Sequence, residues 1–347
     1  MFIVFCYMEI HLCDGSYHPM KNPNTTINIF DYNGEEDRSP SPQPKNVYSQ
    51  EVVHTEDIIG KGGMGIVYKG LQQYPKRTVA IKKLRVRNPR TEYALFTEAM
   101  ITGQLSHPNI VPIHLLNPHG DDGPEVVMSC IQGHTLLSLL DNNSISLKKS
   151  LFVLDQICNA LHYAHSKKVL HRDIKPENIM IGNYGEVYLL DWGVAFDQKD
   201  SQTKPRQILG TPSYMAPEMC SPQTSIIDER SDVYLCGATL HHILTKSPRH
   251  VASTTEATLA LAQQSAPFEY SSEIFGDLAN LANKACHLNP QERPQSIPGF
   301  QQELQQSLLS WETLTLIHSG YEALEALKKS SSGAATFLLF IDSCLLK

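Results

Sequence analysis

The chain has 347 residues, 41% of them hydrophobic, enough to build one large domain or two lobes around a sizeable core. Its formal net charge of −7 excludes a global basic field that would recruit nucleic acid or an anionic membrane surface. The 8 cysteines form no C-x-x-C pair and no cluster with histidine, a pattern that suits reduced thiols in a cytoplasmic protein.

Taken in chain order, the opening MFIVFCYMEI is apolar but has neither a basic start nor a small-residue cleavage site, so no signal peptide is expected. Residues 1–50 are rich in Asn, Asp, Ser and Pro and read as a flexible leader. Ile58 and Ile59, then residues 66–68, then 78–84 are β-rich runs broken by glycines and by Tyr74-Pro75, which predicts a small antiparallel sheet. Residues 90–105 turn helical until Ser106-His107-Pro108-Asn109 stops them, and 125–131 read as a further strand.

After Gly133 the chain becomes mostly helical. Leu151, Leu154, Ile157, Cys158, Leu161 and Ala164 recur at three- and four-residue spacing, which predicts an amphipathic helix over Leu147–Ser166. Residues 231–244 are apolar around the whole circumference, as in a buried helix, with Asp232 as a cap or buried anchor. Residues 321–329 read as helix again. The apolar run 334–346 is interrupted by Asp342 and is too short to span a bilayer, so no membrane segment is expected.

Three constellations carry chemistry. Gly60-Lys61-Gly62-Gly63-Met64-Gly65-Ile66-Val67 lies between two strand patterns, where glycines allow backbone N–H groups to approach a triphosphate closely. The strand after Gly65 and the missing G-K-[ST] ending count against dinucleotide and Walker loops. In Val79-Ala80-Ile81-Lys82, Lys82 points opposite Ile81, and Glu98 on the following helix is the carboxylate that would hold its amine on phosphate oxygens. The third is decisive: His171-Arg172-Asp173-Ile174-Lys175-Pro176-Glu177-Asn178, followed by Asp191-Trp192-Gly193. Phosphoryl transfer needs a carboxylate beside the attacking hydroxyl, hard oxygen ligands for Mg²⁺ and a cation on the moving group, and this loop and turn supply all of them.

From Gly60 to about Leu308 these motifs resemble the protein kinase catalytic domain, most closely the bacterial eukaryotic-like serine/threonine kinases. The resemblance implies an α+β, two-lobed fold, with a small antiparallel β-sheet lobe carrying one regulatory helix (about 51–131) and a larger, mainly helical lobe (about 132–308). A helical tail, 309–347, follows. It implies transfer of the ATP γ-phosphate, with Mg²⁺ or Mn²⁺, to Ser/Thr hydroxyls of protein substrates, with autophosphorylation in a transient homodimer. Asp173 would then be the catalytic base, Lys175 and Lys82 catalytic cations, and Asn178 and Asp191 the metal ligands. The nucleotide would be held by Ile59, Gly60, Lys61, Gly62, Gly63, Met64, Gly65, Val67, Ala80, Lys82 and Glu98, with Met128 as gatekeeper and Ser129, Cys130 and Ile131 as hinge. Lysine in H-R-D-x-K-P-E-N and Gly210-Thr211 favour serine/threonine over tyrosine, with Thr211 near Asp173 and Lys175. Glu218 of Met215-Ala216-Pro217-Glu218 would pair with Arg293, and Asp232 would tether the catalytic loop.

The family's D-F-G is D-W-G here, so Trp192 is either a compensated core substitution or a defect in switching. Ser201 and Thr203 are either phosphate acceptors pairing with Arg172 or unmodified loop residues. The rival reading is a pseudokinase, an ATP-binding scaffold without transfer; such proteins usually lack counterparts of Lys82, Asp173 or Asp191, all of which are present.

Overall fold

The computed structural model describes residues 53–62, 65–120, 123–197, 208–221, 227–270 and 276–329. The expected leader lies outside these residues, as do Gly63, Met64, Ser201 and Thr203.

The chain opens with strands β1 (Val53–Lys61), β2 (Gly65–Gln72) and β3 (Arg77–Leu84), passes through helix α1 (Pro89–Gly103), and adds β4 (Ile113–Gly120) and β5 (Gly123–Ser129). Together the strands make one antiparallel sheet in the order β1-β2-β3-β5-β4. Strand alternation sorts its two faces. Val79 and Ile81 pack with Val127 on one side, while Val126 and Met128 turn to the other, where Leu95 and Ala99 of α1 cover them. Lys82 lies opposite Val126 in the ladder, so its amine is on the face that α1 covers. Helix α1 starts at Pro89 because Asn88 accepts from the amides of Arg90 and Thr91 while Thr91 bonds back to the Asn88 amide.

The large lobe begins with β6 (Gly133–Thr135), α2 (Leu136–Asp141) and α3 (Leu147–Ser166). Ser146 caps α3, whose predicted stripe from Leu151 to Ala164 is buried to the last atom. Short strands β7 (Val169–Leu170), β8 (Ile179–Gly182), β9 (Val187–Leu189) and β10 (Phe196–Asp197) frame the loops that hold the site. They pair as β6-β8-β9 and β10-β7. Helix α4 (Glu229–Thr245), capped by Asp228, is buried on every side from Ser231 to Ile243 and forms the axis of the lobe. Around it pack α3, α6 (Gly276–Ala285) and α7 (Ile297–Lys329), while α5 (Thr255–Gln264) lies against the short helical turn Pro217–Cys220. No helix among the described residues is long and apolar enough to cross a membrane.

Two segments differ from the sequence reading. The strand expected over 125–131 ends at Ser129, where the Ser129 amide bonds the Pro112 carbonyl and the chain leaves the sheet. The helix expected over 321–329 is the end of α7, one uninterrupted helix that runs through residue 309, where the tail was expected to begin.

Candidate active site

The β3 ladder and helix α1 bring Lys82 and Glu98 together: the amine donates to both carboxylate oxygens, at 2.6 and 2.7 Å. The same amine reaches Asp191 Oδ1 at 3.2 Å across the cleft between the lobes. Burial alone would push the Lys82 ammonium down, but Glu98 and Asp191 outweigh it and hold its pKa above the ordinary lysine value. Burial would likewise raise Asp191; the Lys82 charge wins, and that carboxyl lies below its usual range. Asp191 therefore stays an anion, with its side chain still 48% exposed toward the cleft.

The loop between β7 and β8 is held from beneath by Asp232 of α4, which has no solvent exposure. Its carboxylate accepts from the amides of His171 and Arg172, both at 2.9 Å, and bonds His165 Nε2 at 2.8 Å. His171 is an internal brace: its Nδ1 accepts the Asp173 amide at 3.2 Å, so Nε2 carries the proton and donates to the Leu190 carbonyl at 3.1 Å. Burial holds its pKa below the ordinary histidine value, which suits this neutral tautomer.

Asp173 is presented at the end of this scaffold. Its Oδ1 accepts from both the amide (3.0 Å) and the hydroxyl (2.8 Å) of Thr211, and its Oδ2 faces the Lys175 amine at 3.0 Å. Lys175 also donates to the Thr211 hydroxyl, closing a triangle of carboxylate, ammonium and alcohol. Gly210 enters this turn at φ +125, and a Cβ there would meet the Arg172 carbonyl at 3.0 Å, so the approach of Thr211 depends on a glycine. Asn178 Nδ2 donates to the Asp173 carbonyl (2.8 Å) and to its Oδ2 (3.0 Å), so the amide oxygen is oriented away from these bonds. The Leu190 amide bonds the Asn178 carbonyl at 2.8 Å, which ties the Asn178 loop to the strand that delivers Asp191.

Trp192 is 1% exposed and packs edge-on against His171, with ring centroids 4.6 Å apart. The indole thus fills a packed core position, although its Nε1 finds no acceptor among the described residues. Arg172 is buried too: its Nε donates to the Val194 carbonyl at 2.6 Å, and burial pushes its pKa down to about 10.

On the roof of the cleft, Gly60 lies opposite Val67, Lys61 lies opposite Ile66, and the Gly62 amide bonds the Gly65 carbonyl at 2.9 Å. A Cβ on Gly65 would stand 2.6 Å from the Lys83 carbonyl, so only glycine lets β2 run this close to β3. Ile59 is half exposed on the free strand β1. Ala80 is paired with Met128 in the ladder, and Ser129 follows directly, its hydroxyl bonded to His114 Nε2 at 3.1 Å; Ile131, half-buried, lies beyond the end of β5.

Three residues that sequence reading passed over belong to this arrangement. His165 completes the bonds on Asp232, although it had been read only as part of a core helix. Asn109, read as a helix stop, sends its side chain to the Val187 carbonyl at 2.9 Å and its own carbonyl to the Leu189 amide at 2.8 Å. Ser231 donates to Glu218 Oε1 at 2.7 Å beside the ion pair of Glu218 with Arg293, whose two N–O distances are 2.7 and 2.9 Å. The one available hint was polar residue type within apolar surroundings.

The sequence model of the protein kinase domain family matches residues 53–309. Among curated proteins, the chain is similar to the serine/threonine-protein kinase PknD of Protochlamydia amoebophila (strain UWE25), 34% identical over 281 residues, covering 69% of this chain and 28% of the relative. PknD of Chlamydia trachomatis serovar D is 34% identical over 293 residues, covering 72% and 30%, and PknD of Chlamydia felis is 31% identical over 300 residues, covering 76% and 32%. The chain thus spans less than one third of the length of these relatives.

Proposed function

The chain belongs to the protein kinase domain family, and from that premise we propose that it transfers the ATP γ-phosphoryl group to serine or threonine hydroxyls of protein substrates, its own activation segment among them. The observation that carries this reading is the convergence of Lys82, Asp173, Asn178 and Asp191 from both lobes on one cleft, with each charge matched to a need of the reaction.

Asp173 is the group that orients the attacking hydroxyl and accepts its proton, and Thr211 and Lys175 fix its carboxylate. Lys175 then neutralises charge growing on the transferred group, and Lys82, held by Glu98, positions the α- and β-phosphates. The hinge backbone at Ser129 to Ile131 takes the adenine edge between Val67 and Ala80, and the glycine loop from Ile59 to Gly65 covers the phosphates.

The donor set suits a hard divalent cation: the Asp191 carboxylate is ionised and open to the cleft, and the Asn178 amide is turned so that its nitrogen is already engaged. Asn178 and Asp191 would hold Mg²⁺ or Mn²⁺, which supplies charge neutralisation on the phosphate oxygens when bound. We assign residues 51–308 to the catalytic domain and 309–347 to a tail. The described cysteines are free thiols, which supports a cytoplasmic placement.

The test is transfer of labelled γ-phosphate to a generic basic protein with Mg²⁺ or Mn²⁺, comparing wild type with Asp173→Asn. Wild type is expected to label serine and threonine, and the variant to lose about three orders of magnitude in rate while still binding ATP. Wild type that binds ATP with a cation yet transfers nothing would replace this reading with that of a scaffold.

A further inference from the structure

Helix α7 outlasts the lobe it packs on. Ile297, Phe300 and Leu304 are buried against the large lobe, Leu308 and Trp311 pack on the same core, and Gln301 and Gln305 hydrogen-bond Asp155 of α3 at 2.8 to 3.2 Å. Lys148 of α3 pairs with Glu312 at 2.8 Å, and from Thr313 to Ala323 every residue is exposed. Large apolar side chains are nevertheless spaced through this stretch: Leu314 (52% exposed), Leu316 (75%), Ile317 (50%) and Tyr321 (65%), followed by Leu324, partly exposed. At about 100° per residue, Thr313, Ile317 and Leu324 define a line roughly 160° around the helix from the one that faces the lobe, with Leu316 and Gly320 on one flank and Leu314 and Tyr321 on the other. The lobe cannot reach this side. A helix gains most of its stability from packing an apolar face, so this stretch needs a cover from elsewhere.

The chain that follows has the pattern and the length of such a cover. Ser330-Ser331-Ser332-Gly333 is a turn-forming string directly after the helix. Behind it Ala334, Phe337, Leu338, Ile341, Cys344 and Leu345 recur at three- and four-residue spacing, while the polar Thr336, Ser343 and Lys347 fall together on the opposite side. These residues lie outside those described. At the helical rise of about 1.5 Å per residue, 313–326 and 334–346 each span about 20 Å, and a connection of four residues is of the length that joins antiparallel helices. Turned back on α7 through that connection, the register sets Phe337 at the height of Leu324, Ile341 at Gly320, and Cys344 and Leu345 at Ile317 and Leu316. A Cβ built on Gly320 meets nothing within 4 Å, so Ile341 has room there. A cover from the same chain costs only the closure of a short loop and holds at any concentration, which a second copy does not.

We propose that the exposed face of α7 is the docking site of residues 334–346, which fold back across it as the second arm of an antiparallel helical hairpin. The proposal does not rest on phosphoryl transfer and stands or falls separately from it.

Under mild oxidation of the full chain, Ile317→Cys is expected to form a disulfide with Cys344 of the same chain, read by peptide mapping of the monomer. Ser319→Cys, roughly 140° around the helix from the apolar line, should not. Hydrogen exchange gives a readout without new cysteines: Phe337→Glu combined with Ile341→Glu should speed exchange of the amides over 313–324 by about tenfold or more, with exchange in both lobes and phosphoryl transfer retained. No link at 317, links between two chains only, equal linking at 317 and 319, or exchange indifferent to the paired glutamates would each overturn the hairpin.

Discussion

At the scale of single residues, the side chain that most shapes the Asp173 carboxylate is Thr211. Its hydroxyl donates to Asp173 and accepts from Lys175, so one alcohol keeps the anion and the cation in fixed relation. Thr211→Ala leaves only the backbone amide on Asp173 Oδ1, and kcat is expected to fall about tenfold to thirtyfold with KM for ATP unchanged, while Thr211→Ser stays near wild type. Steady-state kinetics of the three proteins checks this. Trp192 makes a different point. Its indole is buried edge-on against His171, at the cost of an N–H without an acceptor among the described residues.

At the scale of elements, the loop between β7 and β8 and the segment after Asp191 are positioned by polar contacts buried beneath them. Arg293, with no side-chain exposure, grips Glu218 through both terminal nitrogens and caps three backbone carbonyls besides. Arg293→Ala strands that carboxylate and is expected to cost about 3–5 kcal/mol in chemical denaturation, whereas Arg293→Met combined with Glu218→Leu should recover only the share due to the stranded charge, because three carbonyls and the Ser231 hydroxyl still lose their partner. A single variant as stable as wild type would contradict it. The short chemical strings were legible because phosphoryl transfer demands particular residue types a few positions apart, and α3 was legible because a core-facing stripe repeats at helical spacing. Asp232 beneath His171, and Asn109 beside Val187, were not legible as pairs from spacing, since a buried polar partner distant in the chain leaves no local pattern. The continuity of α7 was hidden for another reason: its apolar side rotates near residue 309, and a change of side looks like an ending to any reading of periodicity.

At the scale of the whole molecule, the large lobe carries a group of buried histidines that must remain neutral. Burial pushes His241 down to about 3 and His250 to about 4, with Arg249 adding to both, and His242 is also held below its ordinary value. Because these folded-state pKa values lie below that of an unfolded histidine, the unfolded chain binds more protons as pH falls below about 6.5, and stability declines from there down to the folded values. Each histidine contributes a slope of up to about 1.4 kcal/mol per pH unit. Asp191 and Asp232, held below the ordinary carboxylate value, add to the loss only near pH 4 and lower. His250→Phe leaves the Tyr234 hydroxyl bonded to Ser265, so urea titrations between pH 6.5 and 4.5 should show a shallower slope by about one proton. An unchanged slope would mean that His250 is protonated in the native state.

Asn109 ends up governing how the two lobes can part. Its side chain and carbonyl are stitched to β9, and Ile110 bridges Leu189 beside them, so the rear of the small lobe is sewn to the floor of the large one. Any gaping of the cleft must then behave like a clam with an intact ligament: β1 and β2 lift at the mouth while the seam behind α1 stays shut. The amide of Leu189 should therefore rank among the slowest to exchange with deuterium even while the mouth breathes.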